Sequence, residues 1–413
     1  MGKQHILKKR KKLLFLSQCF PLPLDGGGRI KTFNTISCLS KKFDIYAIFV
    51  SERLAKKEHL KLFKKMDIKV KIFQTNMIEE SIKKNYPKLI WNYLQLRPHF
   101  VYQYRNKQAI EFIKKAIVNW RPDIIHVDHI NSSQFLPNKY WLILKLKKKP
   151  ICVLENHNIN HLLFKTRLKE TRKIIRKAYF LIEGWLNLLY GLVNYPRYDH
   201  IFSISDEETK YLKKFYSSVT TQPLVYPIQR SRNLYNKVYD ILFVGYLDWP
   251  PNEVAVKWFT SKILPLINQQ RPNIKFHIVG KLNTKLLYLK NNHNIVFHGY
   301  QKKLDTYLGA SKIFVLPFRT GSGVRIKSLT ALQNGIPIVS TKLGVEGLKI
   351  KNRKEYLLAE TERAFAKATI TLLENKRLRN KISIAQKEYF ERNHTVAENE
   401  KYLNKYIQIC ANR

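Results

Sequence analysis

At 413 residues with 45% apolar content, the chain is long enough for two ordinary domains with real cores, which excludes a disordered protein. Its four cysteines, Cys19, Cys38, Cys152 and Cys410, have neither metal-ligand spacing nor the density of a disulfide framework, so a reducing, cytoplasmic compartment is expected. A formal charge of +45, spread along the chain, makes a field attractive to anionic membrane or nucleotide, while the absence of any nucleic-acid motif argues against nucleic acid as a partner.

The short apolar run at residues 13–16 is broken at once by Ser17 and Gln18 and reads as a first strand, not an export signal. Strands are predicted at 12–17, 43–51, 68–73, 123–128, 151–154 and 200–204, with helical patterns between them. A glycine turn, DGGGR at 25–29, opens the first helix, and Ser205 with Glu208 reads as a capping box. Two insertions interrupt this rhythm. Residues 77–105 mix tryptophan, tyrosine and lysine. Residues 165–195 begin as a basic helix and become apolar and aromatic, which suits either a helix packed on the first domain or an interfacial patch on a membrane. Within it, 178–193 comes nearest to a spanning helix, but Glu183 and Asn187 break it.

A linker is expected at 223–239, after which strands recur at 239–245, 274–280, 295–299, 313–318, 336–340 and 356–359. The strand–helix alternation predicts an α/β protein with two Rossmann-like, doubly wound domains facing across a cleft. The domains are placed at 1–222 and 239–380, with a helical segment at 381–413 able to cross back to the first. In such sheets ligands bind beyond the carboxyl ends of the strands.

The second half is organised around VLPFRTGSGVRIKSLTALQNGIPIVSTKLGVEGL at 315–348. A strand leads into the Gly321-Ser322-Gly323 loop, and a helix is predicted from Val324 to Asn334. A glycine loop feeding a helix N-terminus is an anion site. Arg325 and Lys327 fall on the predicted first turn, where cations oppose the helix dipole at a cost of up to roughly 1 kcal/mol. A bound diphosphate would offset them.

Four segments in order, ILFVGYLDWPPNEVAVKWF at 241–259, RPNIKFHIVG at 271–280, VFHGY at 296–300 and GSGVRIKSLTALQNGIPIVST with GVEGL after it, resemble the group 1 glycosyltransferases (glycosyltransferase family 4, GT-B fold, retaining). In the first half PLPLDGGGRIKTFN, RPDIIHVDH and LENHNI fit the same family. The resemblance implies a nucleotide-sugar donor held mainly by the second domain and an acceptor on the first. It assigns the diphosphate to Gly321, Ser322, Gly323, Val324, Arg325 and Lys327, with Gly27 and Gly28 closing on the same phosphates. His157 matches the family's histidine beside the transferred sugar. Gly245 sits at the turn after the second domain's first strand, and Tyr300 is placed near the base.

Many members carry two glutamates eight positions apart around this loop, where this chain has Ser322 and Thr330. The second usually binds the ribose, and Thr330 offers only a hydroxyl there.

The expected activity is glycosyl transfer with retention to a saccharide or lipid-linked saccharide in cell-surface polysaccharide synthesis. No metal or other cofactor is expected, and His157, Arg325 and Lys327 are the expected catalytic residues. An anionic membrane is a further expected partner, with the chain cytoplasmic or peripheral on the inner face of the cytoplasmic membrane. The alternatives are a sugar-nucleotide epimerase of the same architecture, for which Glu155 and Asp128 would be the carboxylates, and a catalytically weak GT-B scaffold.

Overall fold

The computed structural model describes residues 10–24, 26–53, 55–75, 86–171, 173–225, 237–321 and 324–411. The chain divides into two compact units, residues 1–224 with 397–413 and residues 225–396.

The first unit is built on a seven-stranded parallel sheet. Its strands are β1 (Lys12–Ser17), β2 (Asp44–Ser51), β3 (Ile68–Gln74), β4 (Ile124–Asp128), β5 (Ile151–Asn156), β6 (His200–Ser203) and β7 (Val219–Thr221). They run in the order β3-β2-β1-β4-β5-β6-β7. β1 is buried from Leu13 to Ser17, as a strand covered on both faces should be. Leu13 and Phe15 point into one core with Phe49 and Phe202. Leu14 and Leu16 point into the other with Ile113 and Ile117 of the helix Lys107–Trp120. Chain order reverses between β1 and β4, so the loops after those two strands flank the switch point where such sheets take their ligands.

The second unit carries six parallel strands: β8 (Tyr239–Val244), β9 (Phe276–Val279), β10 (Ile295–Phe297), β11 (Ser311–Leu316), β12 (Ile338–Ser340) and β13 (Tyr356–Leu358). Their order is β10-β9-β8-β11-β12-β13, which puts its switch point between β8 and β11.

Three details differ from the sequence reading. The edge strand β7 was not anticipated. The loop helix runs Ile326–Asn334, so Arg325 is its extended N-cap (φ −91, ψ 120) and not part of its first turn. The C-terminal segment does not act as one piece. The helix Lys376–Asn393 belongs to the second unit, and only residues 397–413 join the first. In the first unit the last helix, Val396–Ala411, buries Tyr402 and Tyr406 in the core beneath β1 and β6.

Candidate functional site

In the second unit β11 leads through the buried Phe318 to Gly321, whose φ of +100° strains any residue with a side chain. Ser322 and Gly323 lie outside the described residues. Val324 is half-buried, and Arg325 follows it with only 6% exposure. The Arg325 guanidinium donates to the carbonyls of Leu343 and Thr320, lies 3.7 Å from a Glu346 carboxylate oxygen, and sits over the Phe318 ring at 4.8 Å. It braces two loops at once. Much of its charge is therefore spent on backbone, and the dipole argument made from sequence applies to Lys327 alone.

Lys327 is on the helix's first turn. Its Nζ donates to Asn252 Oδ1 at 2.6 Å and lies over Phe243 and Phe318 at 4.9 and 5.1 Å. Burial, and after it the neighbouring Arg325 charge, pushes this ammonium down from 10.5 to about 7. The space it occupies exists because residue 245 is glycine: a Cβ there would stand 2.6 Å from Lys327 Nζ and 2.8 Å from Asn252 Nδ2. Asn252 is itself fixed by donating to the Tyr246 carbonyl at 2.7 Å. Gly245, Asn252, Arg325 and Lys327 thus converge at the carboxyl ends of β8 and β11.

Tyr300, 63% exposed, stacks with Tyr246 at 6.0 Å between centroids and an interplanar angle of 21°. Both follow strand ends on the same side of the sheet, an open pair of aromatic faces. Thr330 is buried and its hydroxyl donates to the Ile326 carbonyl at 3.1 Å, back along its own helix.

In the first unit Gly27 and Gly28 form the start of the helix Gly27–Leu39, whose N-cap Gly26 supplies no side-chain acceptor. The first-turn N–H groups face outward unpaired within the helix. A Cβ on Gly28 would lie 3.7 Å from His157 Nδ1, so the imidazole and the glycine turn are neighbours. The other ring nitrogen, Nε2, is 2.8 Å from Asp128 Oδ1. Asp128 Oδ2 also accepts from Ser17 at 2.8 Å and Thr32 at 2.7 Å. Burial alone would raise this carboxyl, but His157 and the Thr32 hydroxyl outweigh it and hold Asp128 below the usual carboxylate range. The carboxylate fixes the ring's orientation and leaves Nδ1 toward the glycines.

Glu155 lies in a separate buried network. Lys31 Nζ is 2.6 Å from one of its oxygens and the Tyr402 hydroxyl donates to the other at 3.0 Å. Neither Glu155 nor Asp128 has a free oxygen pair with which to serve as the acid or base of an epimerase.

Sequence reasoning missed Asn252 and Tyr246, and it did not pair Asp128 with His157. The only sequence signal was position, since Asp128 ends β4, Tyr246 lies in the turn after β8 and Asn252 is on the first turn of the helix that follows, Pro250–Trp258.

Residues 238–375 match the family described as Glycosyl transferases group 1. An uncharacterized 44.6 kDa protein in the cps region of Klebsiella pneumoniae is 26% identical over 234 residues, 54% of this chain and 60% of that protein, so the chain spans less than two thirds of that relative. Among solved structures, the sucrose-phosphate synthase of Thermosynechococcus elongatus superposes with a TM-score of 0.67 at 13% identity, covering 98% of this chain and 100% of that one. Anabaena HepE, solved with UDP and glucose, gives 0.63 at 10% identity over 96% and 99%. Family match and fold agree: residues 238–375 match the group 1 glycosyltransferase family, and the two parallel Rossmann-like sheets have the GT-B fold of the superposed structures.

Proposed function

We propose that the protein transfers a glycosyl group from a nucleoside diphosphate sugar to a saccharide or lipid-linked saccharide in cell-surface polysaccharide synthesis. The carrying observation is Lys327, a desolvated lysine held by a neutral amide beside a braced arginine at the switch point of the second sheet. Such a group gains most when a dianionic diphosphate arrives, and it can neutralise charge on the leaving group as the glycosidic bond breaks. The HepE complex with UDP and glucose supports a nucleotide-sugar donor, and the cps location of the Klebsiella relative supports a polysaccharide product.

In this reading the second unit holds the donor through Gly245, Gly321, Ser322, Gly323, Val324, Arg325 and Lys327. The Tyr246–Tyr300 pair meets the base, and Thr330 stands near the ribose. Gly27 and Gly28 offer N–H groups to the donor phosphates, and His157 contacts the transferred sugar. The acceptor hydroxyl attacks from the face the diphosphate leaves, so configuration is retained. Arginine and lysine perform the charge neutralisation without a metal, and the protein contributes chiefly positioning and electrostatics. We place the acceptor at the inner face of an anionic cytoplasmic membrane.

Incubating the purified chain with a panel of nucleoside diphosphate sugars tests this. Slow release of UDP or another nucleoside diphosphate is expected with at least one donor. Epimerised sugar with no release, or no binding to any donor, would overturn it.

A further inference from the structure

The helix Ile174–Asn194 is built inside out. The residues it buries are Glu183, Leu186, Asn187, Gly191 and Asn194, mostly polar or without a side chain. Its outward face carries Ile175, Leu181, Ile182, Trp185, Leu192 and Val193, with Ile175 at 86% and Trp185 at 57% exposure. A helix whose outer face meets water shows the reverse pattern.

The inward polar side chains are provided for. Glu183 accepts from the His99 amide at 2.9 Å and from Asn187 at 3.1 Å, and Asn194 accepts from Arg197 at 2.5 Å. The inversion is therefore a built arrangement, and among the described residues it leaves the outer face exposed. The adjoining segment is tied to the same helix by His99–Tyr179 at 3.3 Å and by the Phe100–Tyr190 ring contact at 5.1 Å. It adds exposed Trp91 and Leu94. An apolar surface of this extent marks an interaction site.

We infer that the outward face of Ile174–Asn194 lies in the headgroup layer of an anionic bilayer, parallel to its surface. From Ala178 to Val193 the only Asp, Glu, Lys, Arg or His is Glu183, and it is buried, so the outer stripe carries no charge to specify a protein partner. Exposed Lys173, Arg176 and Lys177 stand at its start, as headgroup-binding cations beside an apolar stripe should. Tryptophan is the side chain most suited to that layer. The inward Glu183 and Asn187 keep the helix on the surface, and among the described residues no helix is long and apolar enough to cross a membrane. This face names the membrane partner of the proposed function and rests on that reading for its biological sense.

The test is sedimentation of the full chain with vesicles of phosphatidylglycerol and phosphatidylcholine, or of phosphatidylcholine alone, with no donor or acceptor present, so its outcome is independent of whether sugar transfer is found. Binding to the anionic vesicles is expected, with at least a tenfold loss in the double variant Leu181→Asp, Trp185→Asp and a several-fold loss when Lys173, Arg176 and Lys177 become glutamine. Because the replaced side chains are exposed, circular dichroism and the unfolding midpoint of the double variant should match the parent. Undiminished binding by a folded double variant would reduce the effect to general charge and overturn the inference. So would absence of binding by the parent chain, or a dimer that the double variant dissolves, which would assign the face to a second copy.

Discussion

Lys327 and Asn252, 75 residues apart in sequence, meet at 2.6 Å in a space kept open by Gly245. The contact holds the ammonium where water reaches it poorly, so its proton is lost near pH 7 and not near 10.5. Between those values the unfolded chain binds the proton and the folded one does not, so this lysine makes stability rise with pH across that window. Diphosphate binding needs the charged form and should run the other way. UDP affinity measured calorimetrically from pH 6.5 to 9 should weaken above neutrality, by up to about tenfold per pH unit. Lys327→Met should bind more weakly with a flatter profile. A level profile for the unmodified chain would remove the lysine from the diphosphate site.

The two cations separate by their partners. Arg325→Ala and Lys327→Ala should each lower turnover by tens to hundreds of fold, a loss of about 2–4 kcal/mol. Only the arginine also braces the Leu343 and Thr320 carbonyls. Its removal should cost an additional ~1–3 kcal/mol of folding stability in urea titrations, whereas the lysine variant should fold at least as well as the parent. Equal stability losses would mean that Lys327 is as structural as Arg325.

His157 and Asp128 should behave as one unit. His157→Ala and Asp128→Asn are each expected to reduce transfer strongly while leaving UDP affinity within about twofold, and the double variant should be hardly worse than either single one. Additive losses would show that the carboxylate acts independently of the ring.

Thr330 places a short hydroxyl, turned back to the Ile326 carbonyl, where the resemblance to the group 1 glycosyltransferases implies a glutamate. Thr330→Glu should tighten UDP binding by about tenfold, in line with ~1–3 kcal/mol for a charged hydrogen bond to ribose. Uridine diphosphate and its 2′,3′-dideoxy analogue then give a direct comparison, since the gain should vanish with the analogue. A folded variant with unchanged UDP affinity would place the ribose elsewhere.

Most strands could be read from sequence because β-branched and aromatic runs buried on both faces leave an unmistakable apolar block, as at Leu13–Leu16 and Ile313–Leu316. Val219–Thr221 could not, since a three-residue edge strand ending in two threonines has no such block. The glycine loop and its two cations were visible as a local motif. Their different settings were not, because Phe243 reaches them from β8, Asn252 from the helix Pro250–Trp258 and Leu343 from the short helix Lys342–Val345. The pairing of His157 with Asp128 likewise depends on β4 and β5 lying side by side. For Ile174–Asn194, periodicity shows that the helix has two faces but cannot say which one meets the protein. Only the bonds to Glu183 and Asn194 settle it.

Tyr406, wholly buried in the first unit and stacked on Phe202, comes after the whole of the second unit in chain order. The first unit therefore cannot complete its core as it leaves the ribosome. It must wait until residues 225–396 have been made, which at about 5–20 residues per second is roughly ten seconds or more. During that interval the underside of β1 and β6 lacks its cover, while the second unit, continuous in sequence, can already fold.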